Sequence, residues 1–131
     1  MEYSDFGSLT VRAYKAGGAI PLPAQHIKIY GADEENRFVV YTALTDADGV
    51  TPRFSLPAPA LMYSLLPNGA EASYANYNLE IGGDGYYSKT IFGIPIFSGI
   101  DAIQDIAMIP LSGTNAPVDN LKVYITENEK L

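Results

Sequence analysis

Cysteine is absent from the 131-residue sequence, and histidine occurs once, as His26. Without thiols there are no disulfides, no thiol nucleophile and no cysteine-based zinc or iron–sulfur site. With one imidazole, a Ser-His-Asp arrangement would have to use His26, and a zinc site would have to recruit carboxylates around it. Basic residues are also scarce: 8 Lys and Arg stand against 15 Asp and Glu, a formal net charge of -7. A surface of that sign repels phosphates, which argues against nucleic acid as a partner and against anionic lipid. No apolar run reaches the ~18 residues of a membrane span, so no membrane insertion is expected. Residues Met1 to Gly7 carry Glu2 and Asp5 and lack the basic and apolar regions of a secretory signal. A role outside the cytoplasm would therefore need another route of delivery.

Turn formers and aromatics are plentiful: 12 Gly, 9 Pro, 10 Tyr and 5 Phe. That mixture reads as short strands joined by turns. Leu9, Val11 and Ala13 alternate with Thr10, Arg12 and Tyr14, the pattern of a half-buried strand. Ile27 and Ile29 alternate with His26, Lys28 and Tyr30, which places the histidine and Tyr30 on an outer face away from any pocket. Phe38–Thr45 is β-branched and aromatic. Pro52–Leu56 is a short strand, and Tyr77, Leu79 and Ile81 alternate with Asn78 and Glu80. Tyr86–Phe92 and Ile94–Phe97 read as strand material interrupted by Gly93. Asp101–Leu111 closes the core, with Ile106 and Met108 on one face. About seven strands and no long amphipathic helix predict an all-β, antiparallel, two-sheet sandwich over residues 1–111. The stretch 60–75 is an unusually long insert loop. In the tail, 112–131, Leu121–Thr126 alternates as an additional edge strand.

Candidate sites are few. Asp46 and Asp48 ahead of Gly49 resemble the opening of a calcium loop. Counting Asp46 as the first loop position puts Pro57 at the twelfth, and counting it as the third puts Ser55 there. Neither side chain can act as the bidentate acid, so a structural turn is the plainer reading, and no metal or cofactor is expected. Glu71 is the carboxylate of the insert nearest to several aromatics, but an acid/base role for it has no second residue behind it. Tyr14 and Tyr30 on outer faces and Tyr63 and Tyr74 in the insert could form stacking surfaces for sugars or proteins. Tyrosine is also an ordinary strand residue, which is the competing explanation for each.

Three segments in order carry a family resemblance. These are Pro21–Ile29 leading into a strand, the turn Thr45-Asp46-Ala47-Asp48-Gly49, and Tyr77–Ile81 followed by Gly85-Tyr86. Together they resemble the carboxypeptidase regulatory-like domain, which implies a seven-stranded, prealbumin-like Greek-key sandwich over Leu9–Leu111. The insert after Leu56-Pro57-Ala58-Pro59 departs from that family's pattern. Thr51-Pro52, the same proline run and Phe92–Pro110 are similar to N-terminal modules of Firmicute peptidoglycan-binding and spore cortex-lytic-type proteins. The likeness implies a cell-wall or spore context. The resulting expectation is a chain that binds or scaffolds and catalyses nothing. Its partner would be a protein, or alternatively a cell-wall glycan held by exposed tyrosines. Self-association would run through edge strands.

Overall fold

The structure is a computed structural model that describes residues 3–16, 18–60, 74–111 and the backbone of 121–124. Nine strands run in chain order among these residues. They are β1 (Asp5–Lys15), β2 (Ile20–Pro21), β3 (His26–Gly31), β4 (Val40–Leu44), β5 (Phe54–Ala58), β6 (Tyr74–Gly82), β7 (Lys89–Phe97), β8 (Asp101–Ala107) and β9 (Leu121–Tyr124). One 3-10 turn, Glu34–Asn36, lies between β3 and β4.

The strands form two sheets. In the first, β1 pairs antiparallel with β5 near its start and with β2 near its end, and parallel with β8 along Ser8–Tyr14. The second has the order β4-β3-β6-β7-β9, with β9 parallel to β7. The antiparallel seven-strand expectation is therefore corrected: there are more strands, and two of the pairings are parallel. The eleven residues of β1 are long enough to hold β5 and β2 along one edge and β8 along the other.

Each strand gives one face to a shared apolar layer. Leu9, Val11, Ala13, Leu56 and Ile106 from the first sheet meet Ile27, Ile29, Leu79, Ile81, Ile91, Ile94 and Ile96 from the second. The β-branched isoleucines suit this position because their stiff χ1 already fits a pleated surface.

The spacing of the isoleucines in β7 breaks period two, since Ile91 and Ile94 are both buried but three residues apart. A bulge reconciles them. Ile91 sits opposite Leu79 and Ile94 opposite Tyr77, so Phe92 and Gly93 together face Asn78. Gly93 has φ 74°, a conformation that costs glycine nothing, and its N–H donates to Asn78 Oδ1 at 3.1 Å. The interruption expected at Gly93 is thus a kink within one continuous strand.

Polar contacts tie the layers together. The Tyr3 hydroxyl donates to Asp33 Oδ2 at 2.8 Å, and Asn76 donates to the same carboxylate through its N–H (2.8 Å) and Nδ2 (3.1 Å). Buried Asn36 accepts the Asp33 N–H at 2.7 Å and donates to the Asn76 carbonyl at 3.0 Å. Gly31 allows this approach, because an added Cβ would lie 2.0 Å from the Asn36 carbonyl oxygen. At the centre, Tyr77 on β6 donates its hydroxyl across the sandwich to the Pro57 carbonyl at 2.6 Å.

Burial pushes the Tyr77 phenol up to about 12. The folded state holds that proton more tightly than the unfolded chain does, so the stability gained is complete below the ordinary tyrosine value and is lost as pH rises through about 10 to 12. Tyr77→Phe is expected to cost about 1–2 kcal/mol near neutral pH, because the Pro57 carbonyl loses its partner. It should also flatten the alkaline fall in stability. Urea unfolding of both proteins from about pH 8 to about pH 12 checks both effects.

Candidate ligand-binding groove

The outer face of the five-stranded sheet is where polar side chains gather. Strand register aligns them in rows. Lys28 on β3 lies between Thr42 on β4 and Glu80 on β6, and Glu80 faces Thr90 on β7. The flanking row on one side is Leu44, His26 and Gly82; on the other, Val40, Tyr30 and Asn78. These rows line a concave part of the face. The result is an open groove of about 650 Å³ to which Tyr30, Lys28, Glu80, His26, Thr90 and Phe92 contribute.

Tyr30 is the best-defined group in the groove. Its ring lies beneath the Lys28 ammonium, with Nζ 5.4 Å from the centroid. Its phenol pKa is raised by burial first, then by the negative charge of Glu80 and a hydrogen bond to it, with Asn78 acting in the opposite direction. Tyr30 therefore stays a neutral donor at physiological pH, held to an acceptor that a ligand hydroxyl could share. His26 is exposed on the same face, as its alternation required, but the expectation that it stands away from any pocket is corrected. Cross-strand neighbours Leu44 and Gly82, with Ser88 nearby, put it at one end of the groove.

The other sequence candidates do not converge there. Tyr14 belongs to the opposite sheet, in a smaller hollow of about 390 Å³ beside Arg12, Gly18, Pro21, Asp48 and Asp105. Arg12 and Asp105 close that hollow with a bidentate pair across β1 and β8, at 2.6 and 2.9 Å. Tyr74 opens β6 and packs its ring on Phe97, centroids 5.3 Å apart. Tyr63 and Glu71 lie outside the described residues. Sequence reasoning missed Lys28, Glu80, Thr42 and Thr90. Their shared face was readable from alternation, whereas their alignment in one row depends on register.

Asp46 is used by its own turn. Its Oδ1 accepts the N–H groups of Asp48 (2.9 Å) and Val50 (3.1 Å), a side-chain cap on the turn. No cluster of three His, Asp or Glu residues with ion-binding proximity occurs among the described residues.

No family model matches the sequence, and no curated protein matches it. Solved structures do share the fold. One is the Bacillus anthracis TIE protein, with a TM-score of 0.57 and 21% identity over 82% of this chain and 18% of that one. Another is catechol 1,2-dioxygenase from Pseudomonas arvilla C-1, at TM-score 0.55 and 13% identity over 88% of this chain and 56% of the enzyme. A third, 3-chlorocatechol 1,2-dioxygenase from Rhodococcus opacus 1CP, has TM-score 0.52 and 16% identity over 84% and 62%. The chain thus spans about a fifth of the first protein and under two thirds of the enzymes. These likenesses show the β-sandwich-like fold alone. They overturn the expectation that the chain catalyses nothing, because that expectation leaned on the fold class and on a histidine remote from any pocket. Enzymes share this fold, and His26 lines the groove.

Asp46→Ala is expected to lower stability by about 1–2 kcal/mol, as two turn N–H groups lose their acceptor. Adding calcium or a chelator should leave the wild-type melting temperature unchanged, since no third acidic residue joins Asp46 and Asp48 among the described residues. Thermal melts of both proteins with and without calcium test this.

Proposed function

We propose that this chain is a binding module whose concave outer sheet face holds the sugar backbone of an extended glycan. The observation that carries the reading is the groove itself, with a tyrosine ring, a phenylalanine and a row of alternating donors and acceptors on one sheet face. Sugar rings offer flat C–H faces that stack on aromatics and hydroxyls that both donate and accept. Tyr30 and Phe92 answer the first property; Lys28, Glu80, Thr42 and Thr90 answer the second. A net charge of -7 disfavours densely charged polyanions, which leaves glycans with uncharged sugar rings as the better fit. The groove volume suits a short oligosaccharide segment.

The likeness to cell-wall modules in the Firmicutes makes peptidoglycan glycan strands the first ligand to try, in a spore or envelope setting. The prealbumin-like, carboxypeptidase regulatory-like architecture belongs to the same proposal. Further support for a modular role is that the same fold occupies 18% of the TIE protein chain.

Titration calorimetry with soluble peptidoglycan fragments, and co-sedimentation with the insoluble polymer, test the reading. Tyr30→Ala and Glu80→Gln should each weaken binding about tenfold, the equivalent of about 1.4 kcal/mol. Tyr14→Ala, on the opposite sheet, should leave it unchanged. Absence of binding to peptidoglycan and to other soluble glycans, or equal loss in Tyr14→Ala, would end the proposal.

A further inference from the structure

The edges of the two sheets are unequally protected. Natural edge strands avoid pairing with other chains by being short or by carrying proline or charge. Among the described residues, β2 is two residues long and contains Pro21, β5 contains Pro57, and β8 carries Asp101 and Asp105. The sequence of β9 includes Lys122. β4 has none of these devices: it reads Val40-Tyr41-Thr42-Ala43-Leu44, five residues without charge or proline at the rim of the groove. Apolar side chains are open along the strand and just before it, with Phe38 80%, Val40 52% and Leu44 51% exposed.

The backbone of β4 fixes how it could pair. The Val39 carbonyl accepts from Gly31 N–H at 3.0 Å, and Thr45 N–H donates to the Gln25 carbonyl at 3.0 Å, so the Val39 C=O and the Thr45 N–H both point toward β3. Alternation in an antiparallel ladder puts Tyr41 and Ala43 in the same class. The N–H and C=O groups of Val40, Thr42 and Leu44 therefore point to the open edge.

We propose that two copies of this chain pair antiparallel through β4 about a two-fold axis at Thr42. In that register each Thr42 exchanges both hydrogen bonds with its counterpart, and each Val40 does so with Leu44 of the other copy. Six bonds form and no outward group of the three residues is left over. The facing side chains are Thr with Thr, Val with Leu and Tyr with Ala, so the strand of an acidic chain meets itself without like charges in register. Isologous symmetry follows because one patch serves both copies. The alternative occupant, an extended peptide from another protein, would use the same backbone groups but has no feature on this strand that selects its sequence.

Pairing of this kind keeps directly opposed side chains on one face. The two five-stranded sheets would become one of ten strands, and Thr42 and Leu44, which rim the groove in one copy, would become its middle. Each copy thereby contributes to a single concave face of twice the length. This holds whether or not the groove takes a glycan.

Sedimentation equilibrium or light scattering over roughly 10–500 µM chain reads the assembly directly. The expected result is a concentration-dependent dimer. Thr42→Pro removes an N–H that has no partner among the described residues, and Thr42→Lys sets two cations face to face, so each should weaken dimerisation at least about tenfold with an unchanged far-UV spectrum. Should the proline variant fail to fold, the lysine variant carries the comparison. The chain has no cysteine, so Thr42→Cys gives a test of register. Opposed residues of a hydrogen-bonded pair have Cα atoms about 5.5 Å apart, within disulfide range, and this variant should cross-link far faster than Ser55→Cys on the β5 edge. A monomer throughout the range, a dimer that survives both Thr42 variants, or equal cross-linking at Ser55 would each overturn the proposal.

Discussion

The apolar layer shared by the two sheets is the constraint on which everything else in this molecule depends. Neither sheet can bury its own inner face, and the seven buried isoleucines and leucines that β3, β6 and β7 supply are covered largely by β1, β5 and β8. Burying them is worth about 25 cal/mol per Å² of apolar surface, far more than any single polar contact seen here. The Tyr77–Pro57 hydrogen bond spans that layer and fixes how the sheets sit, but it acts within a separation the side chains have already set.

Because the inner face is committed to packing, the outer faces are free for other work. The two sheets use that freedom differently. On the four-stranded sheet the Arg12–Asp105 pair and the Pro21 loop occupy the surface around Tyr14. On the five-stranded sheet the β7 bulge kinks the strand at Gly93, and the rows from Thr42 to Thr90 stay open.

Much of the fold was legible in the sequence where alternation was clean. Ile27 and Ile29 went inside with His26 and Lys28 outside, and Ile106 and Met108 were buried as the period demanded. Legibility failed where a strand met an irregular partner. Gly93 looked like a break because a bulge and a turn share the same residue preference. Phe38–Thr45 read as a strand, but apolar β-branched residues do not announce an edge; β4 has β3 as its one neighbour, and its outward side chains Val40, Thr42 and Leu44 are exposed. The candidate site was half legible: Tyr30 was named, while its partner Glu80 was passed over.

By itself the sequence determined which side chains face inward, since period two is a property of consecutive residues. It also determined the charge sign, and with it the classes of ligand the surface would repel. Tertiary structure alone decided which outward residues became neighbours. Tyr14 and Tyr30 were equivalent as strand tyrosines, and they ended on opposite sides of the molecule because β1 and β3 belong to different sheets. Lys28 and Glu80 lie fifty-two positions apart and meet because β3 and β6 pair in one register. Strand pairing is a long-range choice, made by the sum of all the buried contacts, and no local pattern encodes it.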